Sequence, residues 1–496
     1  RKGELTADDD DLLAEKYKNY YLKRKGIHAT PMKLKNAKFI PLITTLLSVV
    51  SCSSGAKPQI LAVGGNIELL DGIKLDYKNA FFDDFTNGVS KDNWYIGKQA
   101  WGGSNGGVIP ENINYTDDGV LVITGNGSYY DAGDVKGVGD VKDGRYTGGA
   151  LISKFLTQSG RYEIKMKVLP RQGACTAFWT FAYNLDTLEN HEIDIELPGG
   201  NRSGTVTFEN VLNTNYITEQ MNISFDTNLT KTISDVSNEV YLNDGEWHVY
   251  GFDWYTNPEQ IVYYVDGKIT AISNAFVPSM QSRLWVGAWF PIASAFVGSP
   301  EFETDNMYVD YVKYIPFEDQ PYKEFTPITN GVALDNEYPT QPISTPTINK
   351  VANSTFEKSN LNGSKVGGWT ATKRITEEKD LSEVIQVVDN EGYDDSRALK
   401  VSDGGIAYQM IDSVYHNFKH DFSVYAKGKG KITIRYYSIT ENVYMNPQTI
   451  EVDSDELREY RLTDLVAPAT TQRIRINIET TTGNSITVDN VSLIQK

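Results

Sequence analysis

Short runs of alternating polar and apolar residues set the character of this chain. In Arg161-Tyr-Glu-Ile-Lys-Met-Lys-Val168 the odd and even positions separate into polar and apolar sets, the period of a half-buried β-strand. Val120–Thr124, His191–Leu197, His248–Trp254, Ile261–Val265 and Tyr308–Tyr314 are further short strands. Asp117-Asp118-Gly119 and Asp266-Gly267-Lys268 have the composition of hairpin turns. No segment of ten or more residues carries a helical period. Residues 75–316 therefore predict an all-β domain, a two-sheet β-jelly-roll sandwich. Six of the 18 prolines fall between Pro316 and Pro346, so 317–347 reads as a stiff, extended, Pro-rich linker. Strands resume at Ala398–Val401, Lys431–Tyr437, Gln472–Glu479 and Ser485–Ile494. Residues 348–496 are enough for a second, smaller β-sandwich.

The N-terminal segments do not join this pattern. Residues 1–31 read as an upstream translation artefact or a disordered leader. Met32-Lys33-Leu34-Lys35 opens a basic flank, and the apolar run Phe39–Ser51 is too short to span a bilayer. Basic flank, short apolar core and small residues make 32–52 a signal peptide. Its end, Val49-Val-Ser-Cys-Ser-Ser-Gly55, resembles a bacterial lipobox in which Cys52 is lipidated. That implies an exported lipoprotein of the cell envelope, anchored in a membrane through Cys52, with 53–74 as its tether. No acidic run follows Cys52, so surface and periplasmic facing both stay open. The second cysteine, Cys175, lies in the apolar stretch Gly173–Trp179 with no basic neighbour, and reads as a buried thiol rather than a nucleophile.

Charge narrows the partners. Asp and Glu exceed Lys and Arg by 65 to 47, a net charge of -18, which argues against a nucleic-acid partner. Two cysteines and five histidines exclude a disulfide framework and offer no zinc spacing, so no metal ligands are assigned. A monomer with a neutral partner fits best.

The most informative stretch is His191-Glu-Ile-Asp-Ile-Glu-Leu-Pro-Gly-Gly200. On a strand Glu192, Asp194 and Glu196 share one face, while Ile193, Ile195 and Leu197 share the other. Three like charges on one face repel and do nothing for strand stability. Paired carboxyls do serve glycoside hydrolysis, one as nucleophile and one as acid/base. A third carboxylate between them raises the proton affinity of its neighbours.

The run Glu192-Ile-Asp-Ile-Glu196 resembles the signature of glycoside hydrolase family 16, retaining endo-β-glycanases built on a concanavalin-like β-jelly roll. Further segments resemble the family in order and spacing: Gly107–Asn112 with Asp118–Leu121, Gly160–Lys167 with Ala177-Phe-Trp179, Glu246–Tyr250, Tyr264–Lys268 and Val309–Val312. The resemblance implies Glu192 as nucleophile, Glu196 as acid/base and Asp194 as the assisting carboxylate. It implies a polysaccharide or oligosaccharide substrate, β-1,3-linked or mixed-linkage glucan or β-galactan, cut internally by double displacement. No cofactor is required, although some members hold a structural calcium, for which Asp310 and Asp84 are the candidate donors. The strand lacks the extra residue that makes a bulge before the last Glu in many β-1,3-glucanases, and in this it is similar to lichenases and xyloglucan-active members. The Leu197-Pro-Gly-Gly200 that follows is similar to members acting on β-1,3-galactans. A transglycosylase on the same glycans and a non-catalytic glycan-binding lipoprotein are the alternatives.

Trp179, Trp101, Trp285 and Trp289 are candidate sugar-stacking rings, Trp179 foremost and Trp101 from its Gly- and Ser-rich loop. Asn112 and Arg145 are candidates for contacting sugar hydroxyls. The Gly-rich run Gly133–Gly149 reads as a loop near the cleft, and Trp247, Trp254 and His191 as core. In the C-terminal half, Asn353–Glu357, Gly368-Trp369, Ala398–Val401 and Ile486–Leu493 resemble a carbohydrate-binding module of the family 4 type. Trp369, Tyr408 and Tyr437 are its candidate sugar platforms, with a plain β-sandwich spacer as the other reading.

Overall fold

Ile193, Ile195 and Leu197 are at most 1% exposed, and they fix which way the carboxylate strand faces. The computed structural model describes residues 67–496 apart from 102–104, 185, 201–205, 225–240, 293, 328–330, 413–417, 439–441 and 469–470. The leader 1–31, the signal peptide 32–52 with Cys52, and most of the 53–74 tether lie outside the described residues.

Among the described residues fifteen strands precede the Pro-rich stretch. They are β1 (Phe81–Asp83), β2 (Trp94–Ile96), β3 (Ile113–Tyr115), β4 (Leu121–Asn126), β5 (Gly149–Ser153), β6 (Gly160–Lys167), β7 (Cys175–Asn184), β8 (Glu189–Pro198), β9 (Leu212–Ile217), β10 (Gln220–Ser224), β11 (His248–Thr256), β12 (Glu259–Val265), β13 (Lys268–Ser273), β14 (Arg283–Trp289) and β15 (Thr304–Pro316). One sheet runs β13-β12-β11-β6-β15-β4-β3 with β1 also on β15; the other runs β10-β9-β8-β7-β14-β5-β2. Pairing is antiparallel throughout, and the two inner faces close one core around Tyr162, Phe178, Ile193, Ile195, Phe252, Trp254 and Val286. Among the described residues the helical segments are only three or four residues long. Asp266 and Gly267 both take positive φ in the β12–β13 turn, where glycine carries no Cβ penalty.

The outer face of the first sheet departs from the half-buried expectation. Arg161 and Glu163 alternate correctly on β6 yet are 4% and 0% exposed. Arg161 makes a two-pronged ion pair with Asp253, at 2.7 and 2.6 Å, and Glu163 pairs with Lys313 at 3.0 Å and accepts from the Tyr311 hydroxyl at 2.6 Å. Covered charges persist only when so matched, because removing one partner strands the other. Part of the cover comes from residues expected to be tether. Leu69, Leu70 and Ile73 pack with Tyr255, Val262 and Phe317, and the Ile67 carbonyl accepts from Arg161.

Residues 317–347 also differ from a free linker. Ala333 N–H donates to Ile96, Ile343 N–H to Tyr115, and the Tyr338 hydroxyl to Trp94, so the stretch is strapped along the sandwich. Its prolines keep it extended, and the sandwich edges satisfy its backbone.

The C-terminal strands are β16 (Lys365–Val366), β17 (Trp369–Lys373), β18 (Ile385–Val388), β19 (Ala398–Ser402), β20 (Gly405–Asp412), β21 (Lys419–Ser438), β22 (Val443–Val466), β23 (Arg473–Glu479) and β24 (Ser485–Gln495). Long β21 changes partner along its length: its first half pairs with β24 and its second with β23. The change falls at Gly428, whose φ is +94° and where a Cβ would sit 2.2 Å from the Ser485 carbonyl oxygen. A second core, including Phe356, Trp369, Val424, Ile434 and Ile476, lies between the layers. Both β-sandwich bodies belong to one unit, Gly65–Lys496. Arg171 and Asp305 form a buried pair at 2.7 Å, Arg171 donates to the Lys350 carbonyl at 3.2 Å, and Gln172 donates to Asp412 at 3.1 Å.

Trp369 is 0% exposed with its indole N–H on the Ala352 carbonyl, so it is a core residue and not a sugar platform. Tyr408 and Tyr437 are half-buried; the Arg475 guanidinium lies 3.7 Å from the centre of the Tyr408 ring and covers that face.

Candidate active site

The outer face of the second sheet is organised by β8. It pairs with β7 from Cys175↔Pro198 to Asn184↔Glu189 without a register shift, so no bulge interrupts the carboxylates. Opposite residues in an antiparallel pair share a face. Glu192 therefore stands beside Phe181, Asp194 beside Trp179, and Glu196 beside Ala177 on β7. On the other flank Glu192 faces Tyr216 and Asp194 faces Thr214 of β9. The Cα atoms of Glu192 and Glu196 are ~13 Å apart at ~3.3 Å per residue, with Asp194 between them.

Each carboxyl has a different partner. Asn190 donates to Glu192 at 3.3 Å, and the Thr214 hydroxyl donates to Asp194 at 2.7 Å. Glu196 receives the Cys175 thiol, with Sγ 3.8 Å from Oε1. Burial pushes Glu192 up to about 7, against the pull of Asn190 and Asp194. Burial, helped by the charge of Glu192, also pushes Glu196 up to about 7, while the thiol pulls it back. Asp194 is lifted well above the carboxylate range by burial and then by the charges of Glu192 and Glu196. The order differs from the sequence expectation, in which Asp194 supplied the charge that protonates its neighbour. Here desolvation dominates for each of the three, and the hydrogen bond between Asp194 and Glu192 raises Asp194 and lowers Glu192.

These shifts have a consequence for stability. Glu192 and Glu196 each hold a proton to about 7 in the folded chain against an ordinary value of 4.5. Between those values the folded state binds more protons than the unfolded state, so stability falls as pH rises through that window. Glu196→Gln, which has no charge to desolvate, is expected to melt several degrees above the wild type at pH 8. That corresponds to about 3 kcal/mol for a shift of this size. At pH 4 the two should melt alike. Calorimetry at both pH values checks this, and equal melting temperatures at pH 8 would contradict it.

The four tryptophans come together beside the carboxylates. Trp101 stacks on Trp289 at 5.6 Å between ring centres and meets Trp179 and Trp285 edge-on at 5.5 and 5.7 Å. Trp179 stacks on Trp285 at 5.4 Å and is 6% exposed, so it forms the floor of the cluster while the other three are partly open. That reverses the preference for Trp179 as the leading sugar platform. Asn105 holds the loop in place: its amide donates to the carbonyls of Trp101 and Phe290, both at 2.8 Å.

Two other candidates are occupied within the fold. Asn112 is 3% exposed; it donates to Thr147 and Gly148 and accepts from Asn126, so it ties β4 to the start of β5. The Arg145 guanidinium is paired with Asp143 two residues away, its Nε 2.6 Å from the carboxylate. His191 is buried, accepting Ser279 N–H at 3.0 Å and contacting Glu189, in keeping with a core role. Trp254 is core, but Trp247 is only half-buried, with Lys165 and Lys167 over its ring. Asp310 pairs with Lys165 at 2.6 Å, and Asp84 accepts Thr86 N–H at 3.2 Å. Among the described residues no group of three or more His, Cys, Asp or Glu could hold a metal. Sequence reading missed Thr214, Asn190, Phe181, Tyr216 and Cys175 as neighbours of the carboxylates. Parity along β7, where 175, 177, 179 and 181 share a face, was the available signal for two of them.

Comparison with known proteins agrees with this geometry. The family model for glycosyl hydrolases family 16 matches residues 110–312. A β-glucanase of Acetivibrio thermocellus is 28% identical over 207 residues, covering 41% of this chain and 52% of its own length. A xylanase/β-glucanase of Ruminococcus flavefaciens is 27% identical over 147 residues, 30% of this chain and 16% of its own. The chain thus spans about half or less of these curated relatives. The solved structure of Bacillus licheniformis β-glucanase aligns at 20% identity over 47% of this chain and 97% of that one, with a TM-score of 0.37. Residues 110–312 are therefore similar to the glycosyl hydrolases family 16.

Proposed function

We propose that this protein is a retaining endo-β-glycanase acting on β-glucan. The observation that carries the reading is three carboxyls on one face of an unbulged strand, Asp194 buried and Glu192 and Glu196 half-buried, beside a cluster of tryptophans. In the working state Glu192 is ionised, Asp194 holds its proton toward Glu192, and Glu196 is protonated. Glu192 attacks the anomeric carbon while Glu196 gives its proton to the leaving oxygen. Asp194 is a hydrogen-bond donor that steadies Glu192 as its charge is spent and restored. In the second half Glu196 takes a proton from water, the water attacks the glycosyl-enzyme, and Glu192 leaves with net retention. The open faces of Trp101, Trp285 and Trp289 suit the apolar faces of sugar rings. Glucan is favoured over galactan because the relatives are β-glucanases and because β8 is regular, as in lichenases.

A panel of β-1,3-glucan, mixed-linkage β-glucan and β-1,3-galactan tests this. Viscosity of a β-glucan should fall faster than reducing ends appear, and proton NMR should find the β-anomer first. Cleavage of galactan alone would overturn the substrate class, and an α-anomer first would overturn retention. Products longer than the starting oligosaccharide would identify a transglycosylase, and tight binding without any product a non-catalytic glycan binder.

A further inference from the structure

Glu196 has an unusual neighbour. Glu192 and Asp194 receive an amide and a hydroxyl, whereas the side chain hydrogen-bonded to Glu196 among the described residues is the Cys175 thiol. Cys175 and Glu196 lie on the same face of the β7–β8 pair, offset by one residue pair, since Cys175 is opposite Pro198 and Ala177 opposite Glu196. Trp289 of β14 is opposite Cys175 on its other side. The thiol is 0% exposed, and burial pushes its proton affinity well up, so it stays S–H and acts as a donor rather than a nucleophile. Its Sγ also lies 3.8 Å from the Thr176 carbonyl oxygen.

We propose that Cys175 is a positioning residue for Glu196, whose thiol proton turns toward the carboxylate when Glu196 is ionised and toward the Thr176 carbonyl when Glu196 is protonated. The idea rests on reading Glu196 as the acid/base. Such a group must be stable in two protonation states within one turnover. A strong donor fixed on it would hold it ionised at working pH and leave little of the protonated form to donate. No donor at all would leave a buried carboxylate bare in the second half-reaction. A thiol is a weak donor, and its S–H rotates about one bond between two acceptors. It therefore steadies the ionised form modestly and is not left unsatisfied when Glu196 takes its proton back. No bond between heavy atoms forms or breaks, and the thiol proton stays on sulfur throughout.

The test compares wild type, Cys175→Ser and Cys175→Ala. The kcat/KM profile of each is measured on mixed-linkage β-glucan, and the S–H stretching band is followed by infrared difference spectroscopy with the Cys175→Ser spectrum subtracted. The alkaline midpoint should rise in the order Ser, Cys, Ala. Alanine should raise it by roughly half to one pH unit, the size expected from losing a weak hydrogen bond to a charge. The wild-type S–H band should shift with pH at the same midpoint, and should stop shifting in Glu196→Gln. Identical midpoints in all three proteins, or a wild-type S–H band indifferent to pH, would overturn the proposal. A merely structural cysteine would change the melting temperature without reordering the midpoints. If Glu196→Gln keeps the alkaline limb, the acid/base reading fails instead, and the infrared titration still reports on the thiol and the carboxylate directly.

Discussion

Glu192→Ala is expected to lower turnover by about 10^4-fold or more while leaving the fold intact. The side chain is on the outer face of β8, and the core contacts of this strand come from Ile193, Ile195 and Leu197, so no packing is removed. What is lost is the nucleophile, and with it the covalent intermediate. The Glu196 proton remains, so an aryl glycoside with a good leaving group can still depart if another nucleophile fills the vacated space. Azide should do so from the face that Glu192 occupied and give the α-glycosyl azide. Asp194 should lose proton affinity in this variant, because the charge of Glu192 that helps to raise it is gone. Product NMR with and without azide decides the matter. Activity within a few-fold of wild type, or a β-configured azide, would mean that Glu192 is not the attacking group.

The carboxylate strand was legible because its signal is local: three acids and three aliphatic residues at period two leave one orientation for the strand. The tryptophans were legible by type, but their order was not. Which ring is the floor depends on the register of β14 against β7, and nothing local to Trp179 announces that Trp101 and Trp285 cover it. Asn112 and Trp369 were misread for a related reason. Each lies near turn residues that suggest exposure, yet the partners that bury them are distant: Thr147 for Asn112, Ala352 and Phe356 for Trp369. The charges of β6 repeat the lesson, since Arg161 and Glu163 find Asp253 and Lys313 far along the chain. The prolines of 317–347 gave the extended conformation correctly in kind but carried no information about the edges that hold it. Cys175 is intermediate. Its face was readable from the parity of β7, but its contact with Glu196 is diagonal across two strands and follows only from the register.

Glu196→Gln should separate substrates by their leaving groups. Glutamine keeps the shape of the side chain and its neighbours but has no acidic proton to deliver to the glycosidic oxygen. A polysaccharide leaving group is a poor one, so cleavage should fall by roughly 10^2–10^4-fold, the usual worth of a positioned general acid. An activated aryl glycoside needs little help in the first step, and the glycosyl-enzyme on Glu192 should form and then accumulate, because the base for water is also missing. A burst of aryl alcohol followed by a slow steady rate is the kinetic sign. Azide needs no general base, so it should release the stalled intermediate from the face opposite Glu192, giving the β-glycosyl azide, the opposite anomer to that from Glu192→Ala. The pH profile carries an independent sign. Burial and the charge of Glu192 hold Glu196 near 7, so in the wild type the alkaline limb reports its ionisation, and that limb should vanish in the variant. The acid limb, which reports ionisation of the Glu192–Asp194 pair, should remain. Equal losses on polysaccharide and aryl glycoside, with the alkaline limb in place, would show Glu196 holding substrate rather than moving a proton, and the acid would have to be sought elsewhere on this face of the sheet.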